Sequence, residues 1–66
     1  MTRTRKLELL NRYRPGLYAR LEQEVPNLIA NPDNATTEEI TIYNNLIAKI
    51  ARLDNDNVSF KKNFSF

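Results

Sequence analysis

Apolar and polar positions along this chain fall into three helical arcs followed by one alternating run. The longest arc runs from Thr36 to Asp54. At about 100° per residue, Ile40, Ile42, Tyr43, Leu46, Ile47, Ile50, Ala51 and Leu53 share a face about 180° wide. Glu38, Thr41, Asn45, Lys49 and Arg52 fill the opposite side. Thr36-Thr37-Glu38-Glu39 reads as a capping box, in which the Thr36 hydroxyl accepts from the Glu39 N–H and the Glu39 carboxylate accepts from the Thr36 N–H. The glutamates stand at the positive end of the helix dipole, with Lys49 and Arg52 toward the negative end. No Pro or Gly interrupts the segment. A helix packed on one neighbour needs an apolar stripe of roughly 100°. The wider arc predicts two neighbours: both upstream helices, or one of them and a second copy of the chain.

Two helices precede it. In residues 3–13, Leu7, Leu9, Leu10 and Tyr13 share one side, while Arg5, Glu8 and Arg12 form a charged ladder on another. Pro15 disfavours helical geometry at Arg14, so this helix should stop near Tyr13. Pro15 itself suits the first turn of a second helix over residues 16–31. There Leu17, Tyr18, Leu21, Val25, Leu28 and Ile29 occupy an arc of about 120°. Pro26 lies inside that pattern. Because Leu28 and Ile29 continue the arc, a kink is expected at Pro26 rather than a full stop. Asn31-Pro32-Asp33-Asn34-Ala35 is a loop by composition, of a length that suits an antiparallel helical hairpin with the 36–54 helix.

Asp54-Asn55-Asp56-Asn57 ends the long helix, since these residues favour local side-chain bonds. The period then changes. Val58, Phe60, Phe64 and Phe66 alternate with Ser59, Lys61, Asn63 and Ser65, and Lys62 alone breaks the apolar row. This is strand alternation. A lone strand cannot satisfy its backbone. The tail therefore pairs with a second subunit's tail or a partner's sheet edge, folds back to seat its Phe residues on the helices, or stays mobile. The expected architecture is all-α: a small three-helix domain with an antiparallel helical hairpin, residues 1–55, and an extended Phe-rich tail, residues 56–66.

Size and composition narrow the function classes. A 66-residue chain buries only about 60% of its unfolded surface, so a lone monomer is marginal. There is no Cys and no His. That removes disulfides, thiolate and imidazole metal sites, and the Ser-His and Cys-His arrangements. With the wide arc and the Phe tail, this favours a homodimer. No segment approaches roughly 18 continuous apolar residues, so no membrane span is expected. The basic start, Met-Thr-Arg-Thr-Arg-Lys, lacks the apolar core of a signal peptide, because Glu8 follows Leu7, and a cytoplasmic location is expected. Nine Asn residues fit an AT-rich genome, as in many bacteria and their phages.

The net charge of +2 is unevenly laid out. Arg3, Arg5, Lys6, Arg12, Arg14 and Arg20 face only Glu8 in the first 20 residues, whereas residues 21–47 carry Glu22, Glu24, Asp33, Glu38 and Glu39 with no cation. Basic residues interleaved with Tyr13 and Tyr18 can meet phosphates and stack on bases. Against that, both tyrosines lie on apolar arcs, which predicts that they are core. A helix-turn-helix around Arg14-Pro15-Gly16 would make the second helix the reader, and that helix carries Glu22 and Glu24. Glu22 with Glu24, and Glu38 with Glu39, do not face each other on a helix, so neither pair suits acid–base work. Asp54-x-Asp56 lacks the Gly and distal Glu of a calcium loop. No cofactor site is expected. The sequence thus points to a non-enzymatic protein-binding regulator or adaptor acting on a larger protein. Phe60, Phe64 and Phe66 would be its apolar anchors, beside Lys61 and Lys62. The alternative is nucleic-acid binding through Arg3, Arg5, Lys6, Arg12, Arg14 and Arg20.

Overall fold

The computed structural model describes residues 2–53 and 62–66. Among the described residues up to Leu53, four α-helices follow one another: α1 (Arg3–Tyr13), α2 (Pro15–Glu24), α3 (Pro26–Ala30) and α4 (Thr37–Leu53), with a 3-10 turn at Pro32–Asn34. The fold is all-α, and the described residues contain no strand. None of these helices is long and apolar enough to cross a membrane.

Proline spaces the first half of the chain. Arg14, Val25 and Asn31 each precede a proline and adopt nearly the same non-helical backbone, with φ/ψ of −135/64, −136/62 and −145/82. The cause is the clash of the proline ring with the preceding residue in the α region. Each hinge residue closes one element and opens the next. The Arg14 N–H donates to Leu10 O at 2.7 Å, and its own C=O accepts from Tyr18 at 3.0 Å. Val25 does the same between Leu21 and Ile29, at 2.7 and 3.1 Å. One residue per junction is enough because proline has no N–H to satisfy at the start of the next helix.

The expected kink at Pro26 is a full break. The helix predicted over 16–31 ends at Glu24, and α3 starts afresh at Pro26. A restart exposes orphan N–H groups at the head of α3. One of them, Leu28 N–H, donates to Glu39 Oε2 at 3.1 Å. Glu39 also completes the capping box of α4: the Glu39 N–H donates to Thr36 Oγ1 and the Thr36 N–H donates to Glu39 Oε1, both at 3.2 Å. One carboxylate therefore caps α4 and pins α3 to it.

The core is Leu7 and Leu10 of α1, Leu17 and Leu21 of α2, the hinge residue Val25, Leu28 of α3, and Tyr43 and Ile47 of α4, with Ala51 buried below them. α1 packs chiefly on α2, while α4 touches both α2 and α3. No charged side chain is buried among the described residues. Tyr43, Ile47 and Ala51 form the buried centre of the α4 arc, Ile40, Leu46 and Ile50 are half-buried on its edges, and Ile42 and Leu53 are exposed. The arc is thus wider than the two upstream contacts cover.

Residues 62–64 are helical, which corrects the strand expected from their alternation. A single strand has no ladder partner among the described residues, whereas a helical turn holds its main chain locally. Among the described tail residues Ser65 and Phe66 leave the helical path, and Ser65 O and the Phe66 N–H and O are met by side chains of α1 and α4.

Candidate functional site

Ser65 and Phe66, at the described end of the tail, lie on the seam between α1 and the middle of α4. The ring of Phe66 stacks on Tyr43, with centroids 4.0 Å apart and planes 28° from parallel. The Phe66 N–H donates to Asn44 Oδ1 at 2.7 Å, and Asn44 Nδ2 donates to Phe66 O at 3.3 Å. Lys6 Nζ donates to Ser65 O at 2.7 Å. The Arg3 guanidinium lies 5.2 Å and the Lys6 ammonium 5.8 Å from the centre of the Phe66 ring, within cation–π range. Arg3 Nη1 also donates to Pro32 O at 3.2 Å, which ties the start of α1 to the turn before α4.

Of the anchors expected for a protein partner, Phe64 and Phe66 are half-buried against the chain's own core, and Lys62 is exposed. Phe60 and Lys61 lie outside the described residues. At Phe64 and Phe66 the chain is folded back on the helices, one of the three arrangements open to the tail. Phe64 and Phe66 pack against the core cluster of the helices.

The basic residues do not converge on one patch. Arg3 and Lys6 face the tail. Arg5 pairs with Glu8 at 3.3 Å and Arg20 with Glu24 at 3.2 Å, both pairs on the surface. Arg14 is half-buried at its hinge. Tyr13, expected in the core, is 68% exposed, with the Arg12 guanidinium 5.6 Å from its ring centre. Its arc position is apolar, but it is the last residue of α1, where the chain turns away at Arg14 and the ring is left largely in solvent. Tyr18 is half-buried, in line with its arc.

Two further features are surface geometry. A cleft of about 230 Å³ runs between α1 and α3, lined by Leu7, Glu8, Asn11, Tyr18 and Ile29 among others. Its one carboxylate, Glu8, is held by Arg5. The second is the outer flank of α4, where Ile42 is 39% and Leu53 69% exposed. Among the described residues no cluster of acidic side chains is arranged to hold a metal ion.

Tyr43 is wholly buried, and no group among the described residues hydrogen-bonds its hydroxyl. Burial pushes its phenol well above the ordinary tyrosine range, because the phenolate would lose its water. An unsatisfied buried hydroxyl costs about 1–3 kcal/mol. Sequence reasoning missed Tyr43 and Asn44 as the seat of the tail. The signal was incomplete: Asn44 sits mid-helix, where Asn is unfavourable unless its side chain has other work, but Asn45 beside it carries the same mark and is exposed.

Comparison with protein-family models, with curated proteins and with solved structures finds no match to this chain.

Proposed function

We propose that this protein is a non-enzymatic adaptor or regulator that acts stoichiometrically by binding a larger protein through the outer flank of α4. The observation that carries the reading is the uncovered edge of the α4 arc. Ile42 and Leu53 are exposed, with Leu46 and Ile50 half-buried beside them. On a straight helix Ile42, Leu46 and Leu53 fall in one narrow line about 16 Å long. Such a line at i, i+4 and i+11 is the pattern by which an amphipathic helix lies in a partner's groove. Lys49 flanks the line on its polar edge, and Glu38 flanks its N-terminal end, so the border of the strip carries opposite charges. The same strip is where a second copy would pack if the chain dimerises.

The experiment is affinity capture from the source cells with the wild-type chain, Ile42→Glu, Leu53→Glu and Arg12→Ala. The reading expects a defined protein recovered by wild type and Arg12→Ala and lost with both glutamate variants. Equal recovery by all four would refute it. Sedimentation of the same variants separates a partner from a second copy.

A second reading rests on the exposed Arg12–Tyr13 pair. A cation above an exposed ring is the arrangement that stacks on bases beside a phosphate. In that reading Arg12 and Tyr13 are the contact point, and the remaining cations of the first 20 residues add charge without forming one patch.

A further inference from the structure

The seat that holds Phe66 has the parts of a peptide-recognition site. Asn44 bonds to the N–H and C=O of one residue with the two ends of its amide, a contact that reads main chain and not side chain. Tyr43 supplies a stacking face, and Arg3 and Lys6 supply cations within 5.2 and 5.8 Å of the ring. Lys6 adds a donor to the carbonyl one residue earlier. Tyr43 and Asn44 project from the interior of α4, and Arg3 and Lys6 from the first turn of α1, so the seat is built on helices that do not depend on the occupant for their own hydrogen bonds. The occupant leaves the Tyr43 hydroxyl unpaired. It is also held without covalent or metal links, and Phe66 stays half-exposed.

We propose that the seat formed by Tyr43, Asn44, Lys6 and Arg3 binds an aromatic residue in an extended segment of a partner protein, and that Ser65-Phe66 occupies it in cis as a displaceable stand-in. The site lies beyond the α4 flank described above and does not depend on it. The occupant's chemistry defines the ligand: a Phe-like ring, main-chain N–H and C=O free on the same residue, and a free carbonyl on the residue before. Tethering gives the cis segment an effective concentration on the order of millimolar, so a free peptide competes poorly with it in the wild-type chain. Removing the Phe66 ring opens the seat.

The test uses full-length chains and a fluorescent peptide of the sequence Lys-Asn-Phe-Ser-Phe, followed by anisotropy. The Phe66→Ala chain should bind the peptide about tenfold or more tighter than wild type does, the gain expected on losing a tethered competitor. Adding Asn44→Ala to that chain should abolish binding, as should a peptide ending in Ala, while Ile42→Glu should change nothing. A Phe66→Ala chain that keeps wild-type helical circular dichroism and fails to bind overturns the proposal. If that variant loses its helicity, the wild-type chain labelled with ¹⁵N is titrated with the peptide to about 10 mM, above the tethered concentration. Displacement then shifts the Asn44 side-chain amide and the Phe66 amide together. Fixed positions for both overturn the proposal.

Discussion

Asn44 holds the main chain of Phe66 with both ends of its side-chain amide, accepting at 2.7 Å and donating at 3.3 Å. Its neighbour Asn45 is exposed and has the same intrinsic cost in a helix. The two therefore separate propensity from contact. Asn45→Ala should stabilise the chain by about 0.5 kcal/mol. Asn44→Ala gains the same propensity but loses two hydrogen bonds of roughly 0.5–1.5 kcal/mol each. Urea denaturation should place Asn44→Ala below Asn45→Ala by about 1–3 kcal/mol. Equal stabilities would mean that the clasp contributes nothing.

Glu39 is the next link. Its carboxylate joins the head of α4 to the head of α3 through Thr36 and Leu28. Glu39→Ala should cost about 1–3 kcal/mol, a range that covers the cap and one charge-assisted bond. Thr36→Ala should cost about 1 kcal/mol. Amide exchange distinguishes them, because Leu28 N–H should lose protection in Glu39→Ala and keep it in Thr36→Ala.

Tyr43→Phe removes a buried hydroxyl that has no partner among the described residues. It should stabilise the chain by about 1 kcal/mol. The same variant should change the response to alkali. The phenol is held protonated in the folded state, above its ordinary value, so above about pH 10 the unfolded chain releases a proton that the folded chain retains. Stability contributed by this group is full below that pH and falls as pH rises toward the folded-state value. The fall approaches about 1.4 kcal/mol per pH unit. Denaturation at pH 8, 10 and 11 should show a steeper loss for wild type than for Tyr43→Phe.

The α4 flank should be tolerant where the core is not. Ile42→Glu and Leu53→Glu alter exposed positions and should stay within about 0.5 kcal/mol of wild type. Ile47→Ala empties a wholly buried position and should cost about 2–5 kcal/mol. A large loss of thermal stability in Leu53→Glu would show that its side chain is covered.

The nucleic-acid reading makes its own demand. Binding to duplex DNA or single-stranded RNA should fall steeply between about 50 and 200 mM salt, with a log–log slope near −0.9 per phosphate contact on duplex DNA. Tyr13→Ala and Arg12→Ala should weaken it most. A flat response, or no binding at either salt, removes this reading.

Much of the architecture was legible because local signals agreed. The capping box and the absence of Pro and Gly placed the long helix at 36–54, against the observed Thr37–Leu53. Pro15 marked the first hinge. At Pro26 the signals conflicted: the apolar arc ran on through Leu28 and Ile29, and the break is met in part by Glu39 from a later helix, which accepts from the Leu28 N–H. Tyr13 had an apolar arc position but lies where α1 runs out of neighbours. The tail misled for a related reason. Period-two spacing says which residues share a side only if the segment is extended, and a segment with no strand partner had a helical turn open to it. The candidate site depended on the same long-range facts, since Tyr43 and Asn44 acquire their role only once Phe66 returns to them.

The measurement closest to the centre of this account is the position of Phe66 in solution. Nuclear Overhauser contacts between the Phe66 and Tyr43 rings, with a backbone order parameter near 0.85 at Phe66, are the expected result, in keeping with rings 4.0 Å apart. An order parameter below about 0.6 and no contact between the two rings would contradict it. Phe66 would then be free in solution, and the seat on Tyr43 and Asn44 would be empty.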